Sequence, residues 1–348
     1  MVTMTDVAKY AGVSNMTVSR VLSGHGYVKD ETRQAVMEAV EALGYRPNLL
    51  AKGLATGRSN LIAYVLPDIC DPFFGNVCKG ISDVCDERGF SSVVCNTDNA
   101  ASVEKFLNMV IDRKMDGVVF HHLCITQEQV DLLADNGICV GCIDNEQDLA
   151  GVININNDNY HGAYSAAEYL IGCGYRKILC IRGDLPKDKV CPQDQSYIES
   201  FQERIWEDRT RGFMDAMSAH GLEPFGIYHG RGSASMDKAF LNGQQIMKEI
   251  AAQPELPDAI YCESDLLALG VLGEMLEMKI DCPGTVALCG HDGLDTCRFL
   301  YPRITTVVQP QYELGRLAAR SLIAQIEGKP REAVPPIPSE IFRGDTTK

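Results

Sequence analysis

The sequence predicts a small all-α headpiece followed by a larger α/β core folded as two doubly wound parallel lobes. Three observations carry this. Apolar residues recur at helical spacing through the first 45 residues, in three short stretches. From Leu61 onward, strand-like apolar runs alternate with stretches of helical periodicity, the pattern of parallel βαβ units. Nine such runs are many for one open sheet, and 348 residues exceed one ordinary core, so the runs divide between two lobes.

Taken in order, Thr5 or Asp6 is placed to cap the first helix, whose inner face is Val7, Ala8 and Ala11. Gly12 supplies a left-handed turn, and Ser14 caps a second helix that buries Val18, Val21 and Leu22. A third helix starts at Asp30, buries Val36, Val40 and Leu43, and stops at Gly44. Pro47 breaks the chain, and NLLAKGLATGRSN reads as a short helix ending in a Gly/Ser/Asn linker. The strand-like runs are LIAYVLPD, SSVVCNT, DGVVFHH, CVGCID and GVINI, then KILCIRG, AIYCES, VALCGHD and ITTVVQP.

Charge is divided along the chain. The formal net charge is −15, yet residues 1–60 hold seven Lys/Arg against five Asp/Glu, a net of +2. A slightly basic head on an acidic body fits a polyanion-binding module on a body that avoids polyanions. No apolar run reaches membrane-spanning length, and MVTMTDVAKY has no signal-like apolar stretch, so a cytoplasmic protein without membrane association is expected. The fourteen cysteines fall largely in apolar runs, where a reduced thiol behaves as a small hydrophobe. Cys139 and Cys142 have C-x-x-C spacing, but an odd separation on a strand points them to opposite faces. No second pair completes a zinc site, and no cofactor or metal is implied.

The stretch DVAKYAGVSNMTVSRVLSG (6–24) is two helices joined at a Gly turn, a helix-turn-helix whose second helix enters the major groove. That helix offers Asn15, Met16, Ser19 and Arg20 to base edges. Asn pairs with adenine N6/N7, Arg with guanine O6/N7, and Met touches a thymine methyl. Ser14 and Thr17 suit phosphate.

With ETRQAVMEAVEALGYRPN and LLAKGLATGRSN-LIAYVLPD, this stretch resembles the headpiece and linker of the lac repressor (LacI/GalR) family of bacterial transcription regulators. The resemblance continues through PFFGNVCKGISDVCDERGF, RTRGF (209–213), SDLLALG (264–270), GHDGLD (290–295) and RITTVVQP (303–310), and so covers nearly the whole chain. It implies a homodimer or tetramer on a pseudo-palindromic operator, with a periplasmic-binding-protein-like core that holds a small effector between its lobes. The C-terminal FRGDTTK has no leucine heptad, so a dimer is expected. The implied division is a DNA-binding domain at 1–46, a hinge helix and linker at 47–60, and the core at 61–348. Within the core the first lobe takes 61–159 and 310–338, and the second 160–309 and 339–348.

By the same resemblance, Asn15, Met16 and Arg20 occupy base-contact positions, and Asn48 at the start of the hinge segment joins the DNA contacts. Leu54 matches a Leu that wedges into the minor groove, an apolar wedge that suits kinked DNA; the plain alternative is a small core contact. Gly53 departs from a good helix former there, at a cost of about 1 kcal/mol.

The resemblance further implies that sugar-type effectors are held by an Arg in R-x-x-G-F and an Asp in G-[FY]-D, here Arg209 and Asp292. A charged pair on vicinal hydroxyls makes chemical sense, because each hydroxyl both donates and accepts. The alternative is an interlobe salt bridge without a ligand role. Phe73 and Phe74 match an apolar wall, while His121, Asp144, Ser264 and Gln309 carry over from strand ends, where ligands of α/β lobes bind. Arg209 stands 26 positions after Gly183, further than the family pattern leaves. The extra segment places Tyr197, Phe201 and Ile205 at helical spacing, which predicts a short amphipathic helix ending beside Arg209 and including Trp206, the single tryptophan. It either lines or lids the cleft or is a surface elaboration.

An enzyme is the rival class. Neither G-x-G-x-x-G, G-x-x-x-x-G-K-[ST], G-x-S-x-G nor H-E-x-x-H occurs, and His121-His122 have no nearby carboxylate or Cys cluster in sequence. A free transport-binding protein would lack the head. The expectation is a repressor controlled by a carbohydrate effector. A purine-type corepressor and a thiol signal stay open, as does the direction of coupling.

Overall fold

The computed structural model describes residues 2–23, 27–46, 57–97, 100–123, 125–145, 147, 149–183, 195–230 and 236–348. The hinge expectations for Asn48, Gly53 and Leu54 lie outside them. Met1–Ser59 and Asn60–Lys348 form two compact units.

The first unit is α1 (Met4–Tyr10), α2 (Asn15–Ser23) and α3 (Asp30–Leu43) around a core of Val7, Ala8, Val18, Val21, Val36, Ala39 and Tyr45. The expected Ala11, Leu22, Val40 and Leu43 are half-buried at its margin, while Ala39 and Tyr45 fill the centre instead. The cap of α1 is Thr3, not Thr5 or Asp6. Thr3 Oγ1 accepts from Asp6 N at 3.3 Å and Asp6 Oδ2 accepts from Thr3 N at 2.9 Å. A Thr and a carboxylate three residues apart satisfy each other's backbone reciprocally, and neither Thr5 nor Asp6 as cap would provide that here. Gly12, at φ +67°, makes the turn between α1 and α2.

The second unit opens with β1 (Leu61–Leu66), α4 (Pro72–Glu87), β2 (Ser91–Asn96), α5 (Ala100–Asp112), β3 (Gly117–His121), α6 (Gln127–Asp135), β4 (Cys139–Ile143) and β5 (Val152–Ile155). These strands form a parallel sheet in the order β2-β1-β3-β4-β5. Then come α7 (Asn159–Gly172), β6 (Ile178–Arg182), α8 (Gln195–Ala219), β7 (Gly226–His229), α9 (Met236–Ala251) and β8 (Ala259–Cys262). They are followed by α10 (Asp265–Glu277), β9 (Ala287–Asp292), α11 (Asp295–Phe299), β10 (Thr305–Val308), α12 (Gln311–Ile326) and β11 (Glu340–Phe342). The second sheet runs β11-β10-β9-β8-β6-β7, parallel except for β11. After β10 the chain returns to the first sheet, where Leu322 of α12 lies over Gly117 and Gly141.

All nine expected runs are strands; β7 and β11 were not foreseen. β7 is a four-residue edge strand with alternating half-burial, and β11 is a three-residue antiparallel edge. Neither supplies the continuous apolar run that marks a parallel strand buried on both faces. The connections between lobes lie side by side: Asp158 N donates to Ile337 O at 2.9 Å and Ile337 N to Asn156 O at 2.9 Å. Cys142 sits in the core on one face of the first sheet and Cys139 packs against the core on the other, as their spacing requires. Among the described residues no helix is long and apolar enough to cross a membrane.

Candidate functional site

On α2 the buried side is Val18 and Val21, which leaves Asn15, Met16, Ser19 and Arg20 on the exposed face. Met16 is 64% exposed, an apolar side chain turned to solvent. Ser14 Oγ accepts from Thr17 N at 3.1 Å and lies 2.9 Å from Thr17 Oγ1. The cap hydroxyl that was expected to face phosphate therefore also fastens the first turn. Asn15 Nδ2 donates to Thr5 Oγ1 at 3.2 Å, which braces its amide against α1.

In the core, the polar residues gather at the carboxyl ends of the strands of both sheets, between the lobes. His121 ends β3, fully buried, with Nδ1 2.7 Å from Tyr64 Oη and Nε2 3.8 Å from Asp144 Oδ2. Phe73 and Phe74 meet its ring edge-on at 5.7 and 4.8 Å. Burial lowers the His121 pKa and carries His122 down to about 4, so both rings are neutral near pH 7. The adjacent histidines do have a carboxylate beside them, which their sequence neighbours did not announce: Asp144 arrives from the end of β4. Burial acts to raise the Asp144 pKa. The adjacent His121 imidazole, 3.8 Å away, and donation from Asn157 N at 2.8 Å outweigh it and hold the carboxyl below its usual range.

From Asp144 the contacts run on without a break. Asn157 Nδ2 donates to Asp144 Oδ2 at 2.8 Å and to Gln309 Oε1 at 3.1 Å. Gln309 Nε2 donates to Asn159 Oδ1 at 3.2 Å, and Arg209 Nε donates to the same oxygen at 2.9 Å. Arg209 Nη1 reaches Asp292 Oδ1 at 3.1 Å and also the Glu263 carbonyl. Ser264 caps α10 through Leu266 N and hydrogen-bonds the Asp292 carboxylate. Arg209 on α8 and Asp292 on β9 both belong to the second lobe, so their pair is not the interlobe bridge held open as an alternative.

The structure thus assembles all eight residues expected in the cleft: Phe73, Phe74, His121, Asp144, Arg209, Ser264, Asp292 and Gln309. It adds Asn157, Asn159, Glu263 and Asp265. Glu263 accepts from Thr210 Oγ1 at 2.6 Å and Gly183 N at 3.2 Å, yet burial still pushes it up to about 7. Asp265 accepts from Thr306 Oγ1 at 2.6 Å and Leu294 N at 2.7 Å; burial, then the neighbouring Asp292, raise it to about 8. Burial raises Asp292 to about 6 against the pull of Arg209. The Asn-rich run after β5 and the Glu in AIYCES were visible as polar strand ends. Asp265 was hidden because it reads as an ordinary first-turn acid of α10. Among the described residues no group of three or more His, Cys, Asp or Glu is placed to hold a metal ion.

Comparison with known proteins agrees with both halves. Residues 3–48 match the model of the lacI family of bacterial regulatory proteins, and residues 167–347 match a periplasmic binding protein-like domain. The chain is 31% identical to the ribose operon repressor of Halalkalibacterium halodurans, covering 100% of this chain and 98% of that one. It is 30% identical to the HTH-type transcriptional repressor PurR of Pasteurella multocida over 95% of this chain and 94% of that one. Its fold matches a lac repressor dimer bound to operator and the anti-inducer ONPF, with a TM-score of 0.81, 21% identity and 99% coverage of both chains.

The chain belongs to the LacI family of bacterial transcription regulators.

Two local features shape the cleft of this LacI-family regulator. Asp144 and Asp292, at the ends of β4 and β9, have φ of +48° and +120°, a conformation that costs a non-Gly residue about 1–3 kcal/mol. Both strained residues carry carboxylates into the cleft, and such strain persists where surrounding contacts hold a side chain for use. The second feature is the segment before Arg209. It is not a separate short helix: from Gln195 it forms the first turns of α8, which runs unbroken through Arg209 to Ala219. The side chains of Tyr197 and Phe201 lie outside the described residues, and Ile205 is buried. Trp206, one turn before Arg209, stacks under its guanidinium at 5.1 Å and covers Gly183 at the end of β6. A Cβ at Gly183 would come within 2.3 Å of the indole. The insert therefore lays an aromatic wall against the cleft arginine.

Proposed function

We propose that this regulator binds a pseudo-palindromic operator as a homodimer, with Asn15, Met16 and Arg20 reading bases and a small effector held at Arg209 and Asp292. The observation that carries the effector site is the Arg209–Asp292 pair at 3.1 Å inside a buried polar network that touches both lobes. Such a pair offers a donor and an acceptor to neighbouring hydroxyls of one ring. Closure of the lobes around a ligand would shift the linker and change operator affinity, by a coupling of typically about 1–3 kcal/mol. Membership of a family of transcriptional repressors supports a binding protein rather than an enzyme. The family and the absence of any membrane-spanning helix among the described residues support a bacterial cytoplasmic location.

A carbohydrate is the favoured effector. A relative named a ribose operon repressor and a structural neighbour described as a CelR–cellobiose complex, 25% identical with a TM-score of 0.68, support that class. The similarly close PurR relatives keep a purine corepressor as the second reading, since Phe73 and Phe74 would also serve a planar base. A thiol signal at the buried cysteines is disfavoured: burial raises the pKa of Cys95 to about 11 and of Cys85 and Cys282 to about 12, and pushes Cys180, Cys262, Cys289 and Cys297 well above the usual thiol value. The test is selection of bound DNA from a random pool with the full chain, followed by release or tightening by sugars and purines. A recovered sequence without two-fold symmetry, or indifference of Arg209→Ala to the active ligand, would sink the reading.

A further inference from the structure

Arg182 closes β6, half-buried, as a cation without a counterion. Exposed arginines elsewhere in the core find carboxylates, Arg88 with Glu327 and Arg303 with Asp345. Among the described residues Arg182 forms no ion pair, and its Nε is buried without a hydrogen-bond partner. A second buried donor in the same condition stands beside it. The Trp206 ring lies on Gly183, the residue after Arg182, and the indole Nε1 also lacks a partner among the described residues. Buried polar atoms without partners are rare, and each asks what completes it.

The fold places these donors together. Strand alternation sets Arg182 on the sheet face of Cys180, which packs with Phe213 of α8 and Tyr261 of β8. Trp206 comes down on the end of β6 from the same helix, two turns before Phe213. The parallel register sets the exposed His229 of β7 beside Arg182. The nearest carboxylate is already committed. Glu263 accepts from Thr210 Oγ1 at 2.6 Å, Gly183 N at 3.2 Å and Cys180 Sγ at 3.8 Å, and it forms no ion pair with Arg182. A guanidinium and an indole N–H can only donate, so what completes them is an acceptor, and a guanidinium withdrawn from water favours an anion. Trp206 also ties the pair to the cleft, since the Arg209 guanidinium lies 5.1 Å from its ring.

We propose that Arg182 and Trp206 form an anion-binding subsite at the end of β6, so that the effector is an acidic sugar whose carboxylate or phosphate rests there while its ring hydroxyls meet Arg209 and Asp292. This rests on the reading of the cleft as the effector site. The guanidinium offers parallel N–H groups to two oxygens of one anionic group, and the indole N–H reaches a further lone pair. A neutral sugar leaves both donors unmet and the cation unpaired. Trp206 belongs to the extra segment before Arg209, so that segment acts as a specificity determinant rather than as a surface elaboration.

The test is calorimetric titration of the full chain at pH 7 with D-glucose, D-galactose and D-ribose, each against its sugar acid and its terminal monophosphate. The expected result is at least about tenfold tighter binding of one charged sugar than of its neutral parent, the worth of one charge-assisted contact. Whether the acid or the phosphate gains tells which anion the subsite takes. Arg182→Gln is expected to collapse that preference to within about twofold, with the denaturation midpoint unchanged because no protein partner is lost. Trp206→Phe keeps a ring on Gly183, removes the N–H, and is expected to weaken the charged sugar at least about threefold while sparing the parent. Equal or tighter binding of the parents, an unchanged preference in either variant, or failure of every charged sugar to bind overturns the proposal. Parent-sugar binding that Arg182→Gln spares and Arg209→Ala abolishes, without a charged preference, overturns the anion subsite while leaving the cleft as the effector site. Charged-sugar binding that survives Arg209→Ala overturns both.

Discussion

Asn159 and Arg209 are joined by a hydrogen bond of 2.9 Å in which the amide oxygen at the start of α7 receives the guanidinium Nε. Gln309 donates to the same oxygen from the neighbouring connection, so one amide fixes the cleft arginine relative to the chain crossings between lobes. Arg209 is thus held by three acceptors before any ligand arrives. Positioning of this kind removes the ordering cost from the binding step.

Arg209→Ala is expected to do two things. It removes the proposed ligand contact, and it leaves the buried Asp292 carboxylate without its cation. Loss of one partner from a buried pair costs about 3–5 kcal/mol. Chemical denaturation of the core should show a drop of that order, and calorimetry the loss of effector binding. Asn159→Ala should weaken binding less, because Asp292 and the Glu263 carbonyl still hold the guanidinium.

Gly183→Ala tests the insert. The added methyl collides with the Trp206 indole, whose Nε1 has no hydrogen-bond partner among the described residues and which is held there by packing and by Arg209. Emission from the single tryptophan is expected to change in the free protein, and effector affinity to fall, with the DNA-reading helix untouched. An unchanged emission spectrum would show that the ring is not seated on Gly183.

Stability should depend on pH in a direction that the buried groups dictate. Glu263, Asp71 and Asp265 keep their protons to about 7, 7 and 8 when folded, whereas an unfolded carboxyl releases its proton near 4. Between those values the folded state binds more protons, so these groups make stability fall as pH rises. His121, His122 and His291 work the other way. Their folded pKa values lie below the unfolded 6.5, so they make stability fall as pH drops below about 6.5. The two effects oppose below pH 6.5. Above it only the carboxyls act, and denaturation midpoints of the core are expected to decrease from pH 6.5 to 8. Asp265→Asn should flatten that decline.

On the headpiece, Arg20→Ala and Met16→Ala should leave folding intact, because both side chains lie on the exposed face of α2. Loss of a base contact is expected to cost about 1–3 kcal/mol on the selected operator and much less on random DNA. Fluorescence anisotropy with both DNAs measures the difference. Equal losses on the two would assign these residues to the backbone rather than to bases.

Much of this was legible in the residues. The Gly12 turn and the 3.6 period of Val18 and Val21 set α2, and the long apolar runs set the parallel strands that burial on both faces requires. The cleft residues at strand ends were legible because parallel sheets collect their carboxyl ends on one side. What escaped were relationships without local signature. Asn157 and Asn159 matter because two chain crossings meet, a tertiary fact with no periodicity. Asp144 reaches His121 across neighbouring strands, although 23 positions separate them in the chain. The continuity of the insert with α8 escaped because the helical spacing of Tyr197, Phe201 and Ile205 was read as a unit of its own, although nothing between Trp206 and Arg209 stops a helix.

The account turns on a small molecule binding beside Trp206 at Arg209 and Asp292. Tryptophan fluorescence of the full chain, titrated with sugars, amino sugars, glycosides, sugar phosphates and nucleosides, tests it most directly. The predicted result is a saturable change with one chemical class, abolished by Arg209→Ala while the variant remains folded. A saturable change that persists in Arg209→Ala, or silence toward the whole panel, would contradict it.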